Sequence, residues 1–504
     1  MKKFVASWLV VVCCAVSATP QNNPASSLLL AGGIVIDGTG ARGRQADVRI
    51  VGDQISAIGK LKPQAGERVI DARGLIVAPG FVDVHNHSER GLLTEPTARS
   101  QVLQGITTLA VGPDGGSPYP LAEYLSKLEQ QHTAVNVLAF IGHATVRQQV
   151  LGQDYKRAAT EREIARMCEL VEQAMREGAV GLSTGLEYDI GHPSTTEEVI
   201  ALARVAAKYG GIYMSHVRDE ADDAMNAFKE AIRIGREGGL PVQISHIKLG
   251  TVGVWGKARE AVALIEAARR TGLDVTADCY PYDAWASTIT VLVPSRKHDD
   301  PAIVKKGLED VGGGGNVLVT NCTAHRAYEG KSLDEIARAN NQTAVEVYMQ
   351  IVKDGGASVV CKSMIEPDIR TFYQQPWVMV ASDGGIANRH PRGAGTFPRV
   401  LGRYVREWKW LKLEEAVRKM SAYPAWRLGL RERGLLKVGM KADVVVFDAS
   451  KVSDQSTMTK PLTEPVGIQF VIVNGVPVVE NGQVTSARPG AVLRHNATPR
   501  QQSK

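Results

Sequence analysis

The stretch Ala78-Pro79-Gly80-Phe81-Val82-Asp83-Val84-His85-Asn86-His87 is an apolar run that ends in two histidines one residue apart. Side chains of a strand alternate faces, so His85 and His87 point the same way and can grip one cation together. Far downstream, Trp377-Val378-Met379-Val380-Ala381-Ser382 leads into Asp383 and then Gly384-Gly385. Between these landmarks Tyr213-Met214-Ser215 ends in His216, and Gln243-Ile244-Ser245 ends in His246. Four imidazoles and a carboxylate at the ends of apolar strands read as a metal site that activates water. The expected cofactor is a divalent cation, Zn2+ first, with one or two per chain.

Working outward, strand-like runs recur at 76–86, 106–112, 134–141, 179–186, 211–216, 241–247, 273–280 and 377–382, with helical patterns between them. The clearest helix opens on a capping box, Thr160-x-x-Glu163, and runs to Gly178. Eight strand–helix units with polar groups at the strand C-termini predict an α/β fold, a (β/α)8 TIM barrel. Residues about 290–370 are too many for one crossover between strands 7 and 8. They read as an insertion with strands at 316–320 and 358–362 and a helix at 332–353, placed to wall or cover a pocket. Both ends are β-rich: 27–76 and 434–490, the latter with a hairpin around Asn474-Gly475. They predict one small β-sandwich domain built from both termini, leaving 77–433 for the barrel.

The chain has 504 residues, 44% hydrophobic and 22% charged, with a formal net charge of +6. No block of like charge stands out, so nucleic-acid binding has no footprint. Met1-Lys2-Lys3, an apolar run from Phe4 to Ala15 and small residues to Ala18 give residues 1–18 the layout of a signal peptide. Export to a periplasmic or extracellular space follows, with no stable membrane insertion after cleavage. Cys13 and Cys14 offer a lipoprotein anchor as the alternative, but neither follows a small residue. Cys168, Cys279, Cys322 and Cys361 are scattered, which excludes a zinc knuckle or a dense disulfide scaffold.

Several ordered blocks carry a resemblance. They include Gln104-Gly105-Ile106-Thr107-Thr108, Gly181-Leu182-Ser183-Thr184-Gly185-Leu186, Ser215-His216-Val217-Arg218-Asp219-Glu220 and Ser245-His246-Ile247-Lys248. Tyr280-Pro281-Tyr282, Ser382-Asp383-Gly384 and His390-Pro391-Arg392 complete the series. With His85-x-His87 they resemble the amidohydrolase superfamily and, within it, the N-acyl-D-amino-acid deacylases. The resemblance implies that His85 and His87 hold a more buried metal and that His216 and His246 hold a second. It implies that Asp383 is both ligand and general base, taking a proton from water and handing it to the departing amine. It also implies that Lys248, Tyr280 or Tyr282, and Arg392 hold a substrate carboxylate, while His143 lines the pocket or merely packs.

One place departs from the family. Where relatives carry a cysteine ligand, this chain reads Gly112-Pro113-Asp114-Gly115. Glu187, after the fourth strand, stands where other amidohydrolases bridge two metals, and is expected to replace the thiolate as bridge. Asp114 is then a weaker ligand, a partner of one, or a turn residue. The expected reaction is hydrolysis of the amide of a small N-acylated amino acid, of D configuration, or of a small peptide. A dipeptidase or a cyclic-amide hydrolase of the dihydroorotase and hydantoinase kind is the alternative, although no acidic partner for a free α-amine is evident. A non-catalytic metal-binding protein is disfavoured by the complete ligand set.

Overall fold

The computed structural model describes residues 27–496 apart from position 388; the proposed signal segment 1–18 lies outside the described residues. Eight parallel strands form the barrel: Phe81–Asp83, Ile106–Val111, Asn136–Ala139 continuing as Ile141–Gly142, Gly181–Gly185, Ile212–His216, Val242–Ile244, Val275–Cys279 and Val378–Val380. The ring closes at the C-terminal ends, where Asp383 N–H donates to His85 O (3.0 Å) and His87 N–H to Gly384 O (2.7 Å). The strands are buried on both faces because helices cover the outside while side chains fill the inside. Val82, Ala110, Leu138, Phe140, Met214 and Met379 make a separate buried cluster, closed by Ala425 of helix Ala422–Arg427 and by Leu428 just after it. That plug stands at the N-terminal end, where Arg427 reaches Asp274 and Val242 O.

The outer helices follow from their patterning. Helix Glu161–Arg176 has both halves of its capping box and buries Met167, Leu170, Val171, Ala174 and Met175, one stripe at helical spacing.

The two chain ends meet in a nine-stranded sheet folded around its own core of Leu30, Val48, Ile50, Val444, Val446 and Ile472. The halves join where Ile76–Pro79 pairs antiparallel with Val444–Phe447. The first expected strand, 76–86, therefore divides: Ile76–Pro79 belongs to this sheet and Phe81–Asp83 to the barrel. Gly80 is the switch. A Cβ there would lie 2.3 Å from the Thr107 side chain, so only glycine lets the chain pass between the two sheets.

The insertion begins earlier than expected. Strands Trp285–Thr288, Val317–Asn321 and Ser358–Cys361 make an antiparallel sheet with a core of its own. The single helix expected at 332–353 is two, Leu333–Asn340 and Ala344–Lys353, because Asn341 turns left-handed (φ 54°) and Thr343 caps a new start. Helix Glu366–Tyr373 then returns the chain to the barrel.

Candidate metal centre

The expected ligands converge at the C-terminal rim. His85 and His87 follow the first barrel strand, Asp114 the second, Glu187 the fourth, His246 the sixth and Asp383 the eighth, while His216 ends the fifth. Asp114, His246 and Asp383 have φ of 54°, 30° and 48°. Left-handed backbone costs a residue with a side chain roughly 1–3 kcal/mol and collects at functional sites.

Two donor groups result. In the first, Asp114 Oδ2 lies 3.3 Å from His85 Nε2 and 3.4 Å from His87 Nε2, with Asp383 Oδ1 at 3.5 and 3.3 Å from the same nitrogens. In the second, Asp114 Oδ2 is 3.5 Å from His246 Nε2, which is 3.0 Å from His216 Nδ1. Asp114 is common to both groups. Its other oxygen, Oδ1, is buried and makes no hydrogen bond among the described residues. Nitrogen and oxygen donors around a shared carboxylate fit one or two divalent cations.

The expectation that Glu187 bridges is corrected by this geometry. Its Oε2 lies 2.7 Å from His216 Nε2, the nitrogen on the far side of the ring from Asp114 and His246, and its donor group is His216 and Glu220. The loop after the fourth strand puts its carboxylate behind His216 instead of between the two groups.

Residues without an assigned role in the sequence support the ligands. Asp83 Oδ2 accepts from Asn86 Nδ2 (2.8 Å) and from the Ser382 hydroxyl, tying the first strand to the eighth. Asp278 Oδ1 accepts the His246 backbone N–H at 2.7 Å and lies 3.5 Å from His85 Nδ1, so one carboxylate steadies ligands of both groups. Glu220 lies 3.0 Å from His246 Nδ1. It stands four residues after His216, and Asp278 two before Tyr280; nothing in spacing alone separates either from a surface acid.

A cleft of about 640 Å³ opens from the metal centre towards the insertion and is lined by Glu187, Glu220, Lys248 and Arg392 among others. Lys248 Nζ is held at 2.6 Å by both oxygens of Glu220 and is 2.7 Å from His246 Nδ1. Arg392 Nη1 is 2.7 Å from Asp383 Oδ2, and its guanidinium lies 4.9 Å over the Tyr280 ring. The Tyr280 hydroxyl is buried and without a hydrogen-bond partner among the described residues. Tyr282 points elsewhere, donating to Pro391 O (3.3 Å) beneath Arg399. His143 is corrected too: it is fully buried, 2.8 Å from Glu198, which also binds Arg147. It starts helix His143–Leu151 and faces helix Thr196–Lys208, where Glu198 sits, so it packs.

The family model described as amidohydrolase family matches residues 68–479. The chain belongs to the amidohydrolase family. This amidohydrolase is 38% identical over 495 residues to a D-aminoacylase of Alcaligenes xylosoxydans xylosoxydans, spanning 93% of the chain and 98% of that protein. It resembles an N-acyl-D-glutamate deacylase of Bordetella bronchiseptica solved with zinc and a phosphonate mimic of the tetrahedral intermediate. There the TM-score is 0.85 and the identity 36%, over 94% of this chain and 100% of that one. A D-aminoacylase structure concerned with a binuclear metal centre, with one-metal activation and second-metal attenuation, matches at TM-score 0.84 and 36% identity, over 93% and 99%. The protein is a hydrolase of carbon–nitrogen bonds other than peptide bonds.

Electrostatics in the amidohydrolase site follow from the donor set. Burial opposes charge on His85, but Asp114 and Asp383 outweigh it and push the imidazole up to about 10. Burial and Lys248 oppose charge on His246, and Glu220, Asp114 and Asp383 push it up to about 9. Burial also opposes the charge on Asp383, yet Arg392 and the histidines hold it far below the usual carboxylate range. Cation ligands must shed their protons, so metal uptake at pH 8 should release protons into a weakly buffered solution. Chelator-treated protein should also lose stability with alkali. An unfolded histidine titrates near 6.5, so stability from the raised groups is complete below about pH 6.5. It is lost as pH rises through about 9 to 10, the folded values. A Tm of the chelated protein that falls no faster than that of the metal-loaded protein over this range would refute the charge assignment.

Proposed function

We propose that this amidohydrolase is an exported, Zn2+-dependent N-acyl-D-amino-acid deacylase in which Asp114 bridges two cations. The observation that carries the reading is the double donor group around Asp114 with two cationic side chains, Lys248 and Arg392, beside it in one cleft. Divalent cations held there would polarise the scissile carbonyl and bring the pKa of bound water to about 7. Asp383 would take the proton from the attacking water and deliver it to the amine nitrogen, which leaves poorly until protonated. Arg392, already ionic with Asp383, and Lys248 supply charge-assisted hydrogen bonds for the substrate α-carboxylate, with Tyr280 between them.

The far wall of the cleft is built by Trp285, Val291, Leu292, Pro294 and Val311 of the insertion. Lys248 and Arg392 are the only lysine and arginine side chains lining the cleft among the described residues. An acidic substrate side chain would need a further one. The reading therefore favours substrates with neutral, apolar side chains over N-acyl-D-glutamate. Among the described residues no helix is long and apolar enough to cross a membrane. The proposed export rests on the sequence of residues 1–18.

A second reading has one observation behind it. Glu187 and Glu220 both face the cleft and share a donor group with His216, supplying the acidic partner that the sequence left without a candidate. A dipeptide with a free α-amine could present its ammonium to them.

A panel of N-acetyl and N-succinyl D- and L-amino acids beside dipeptides, assayed on metal-reconstituted protein, tests both. The expected result is cleavage of N-acyl-D-amino acids with apolar side chains ahead of their L forms and of the D-glutamate derivative. Cleavage of dipeptides alone would overturn it in favour of the second reading.

A further inference from the structure

We infer that Glu187 is a positioning residue that orients His216 and fixes which of its nitrogens carries the proton. The inference rests on the metal-centre reading and concerns a residue that sets the strength of the second group. The two nitrogens of His216 face different chemistry. Nδ1 looks towards His246 Nε2 at 3.0 Å, inside the group that includes Asp114, whereas Nε2 meets Glu187 Oε2 at 2.7 Å. A carboxylate accepts, so the proton belongs on Nε2 and the Nδ1 lone pair is left for a cation. In the metal-free protein the Tyr188 hydroxyl, 3.2 Å from Nδ1, donates to that same lone pair and fits the same tautomer; a cation taken up there would displace it. Charge on Glu187 also makes the imidazole a better donor to a metal.

Glu187 is built to hold this position. Leu186 N–H donates to His216 O (3.1 Å), fastening the loop to the fifth strand. From the other side Arg296 of the insertion donates to the Glu187 carbonyl and lies 3.5 Å from Asp189. Gly191 closes the loop against Gly185, whose carbonyl a Cβ at Gly191 would meet at 2.2 Å. The carboxylate is thus fixed by the barrel below and the insertion above.

The test is Co2+ binding to the full chain, read by competition with a chromophoric chelator and by the visible absorption of bound Co2+. Wild type, Glu187→Ala, Glu187→Gln and His246→Ala are compared, with circular dichroism to confirm folding. Glu187→Ala should bind the weaker Co2+ roughly 10–100-fold less tightly, the usual effect of removing a partner of a metal-bound histidine. It should reach the wild-type stoichiometry at saturation with wild-type band positions. Glu187→Gln, whose amide oxygen still accepts from Nε2, should recover most of that loss. Unchanged affinity in Glu187→Ala overturns the inference. So does a Co2+ missing at saturation, which would make Glu187 a direct ligand. If His246→Ala binds Co2+ as wild type does, the metal-centre reading itself fails.

Discussion

Asp383→Asn is expected to lower kcat by about 10²–10⁴-fold, the usual loss when a positioned general base or acid is removed, with the fold intact and metal retained. The amide can still offer an oxygen to the first donor group, in which Asp383 Oδ1 lies 3.3 Å from His87 Nε2. It cannot accept and return a proton. Arg392 would lose its ionic partner at 2.7 Å, so KM will move as well, and kcat at saturating substrate is the number that decides. Turnover like that of wild type would remove Asp383 from proton transfer.

Asp114→Ala should be the more damaging change to the metal centre. Asp114 Oδ2 stands within 3.3 to 3.5 Å of His85, His87 and His246, so one truncation removes an oxygen donor from both groups at once. The variant should hold at most one metal by elemental analysis, weakened beyond the about 10–100-fold expected for a residue acting through a ligand. It also removes the negative charge that His85 needs in the metal-free protein, and a buried charge stripped of its partner costs about 3–5 kcal/mol unless it neutralises. Proton release on metal binding should therefore shrink. Two metals per chain in Asp114→Ala, and fewer in Glu187→Ala, would restore Glu187 as bridge.

The barrel was legible because its strands recur as short runs between helical patterns, most of them rich in apolar residues, and because His85, His216, His246 and Asp383 all fall at or just beyond strand ends. There, strand position decides which residues reach the rim, with left-handed backbone at His246 and Asp383 setting the final aim. The limits arose where it does not. Asp114 and Glu187 lie in loops, and which of two carboxylates reaches the centre depends on a left-handed turn at Asp114 and on an anchor from Arg296, over a hundred positions away in sequence. Gly80 hides a change of sheet inside an unbroken apolar run because the conflict it avoids is with Thr107, a neighbour in space. His143 looked like a rim residue because it ends an apolar run, yet it opens a helix and turns to Glu198. Glu220 gave no signal, since its meaning comes from Lys248 in the loop after the sixth strand.

The left-handed backbone at Asp114, His246 and Asp383 bears on how this enzyme can be engineered. Glycine relieves such a conformation without cost to the chain's path. The roughly 1–3 kcal/mol of backbone relief would be set against the buried ion pairs that each of these side chains makes, and the chemistry would go with them. Libraries for this scaffold should keep those codons fixed and look for robustness elsewhere, in the solvent-facing helices and the terminal sheet.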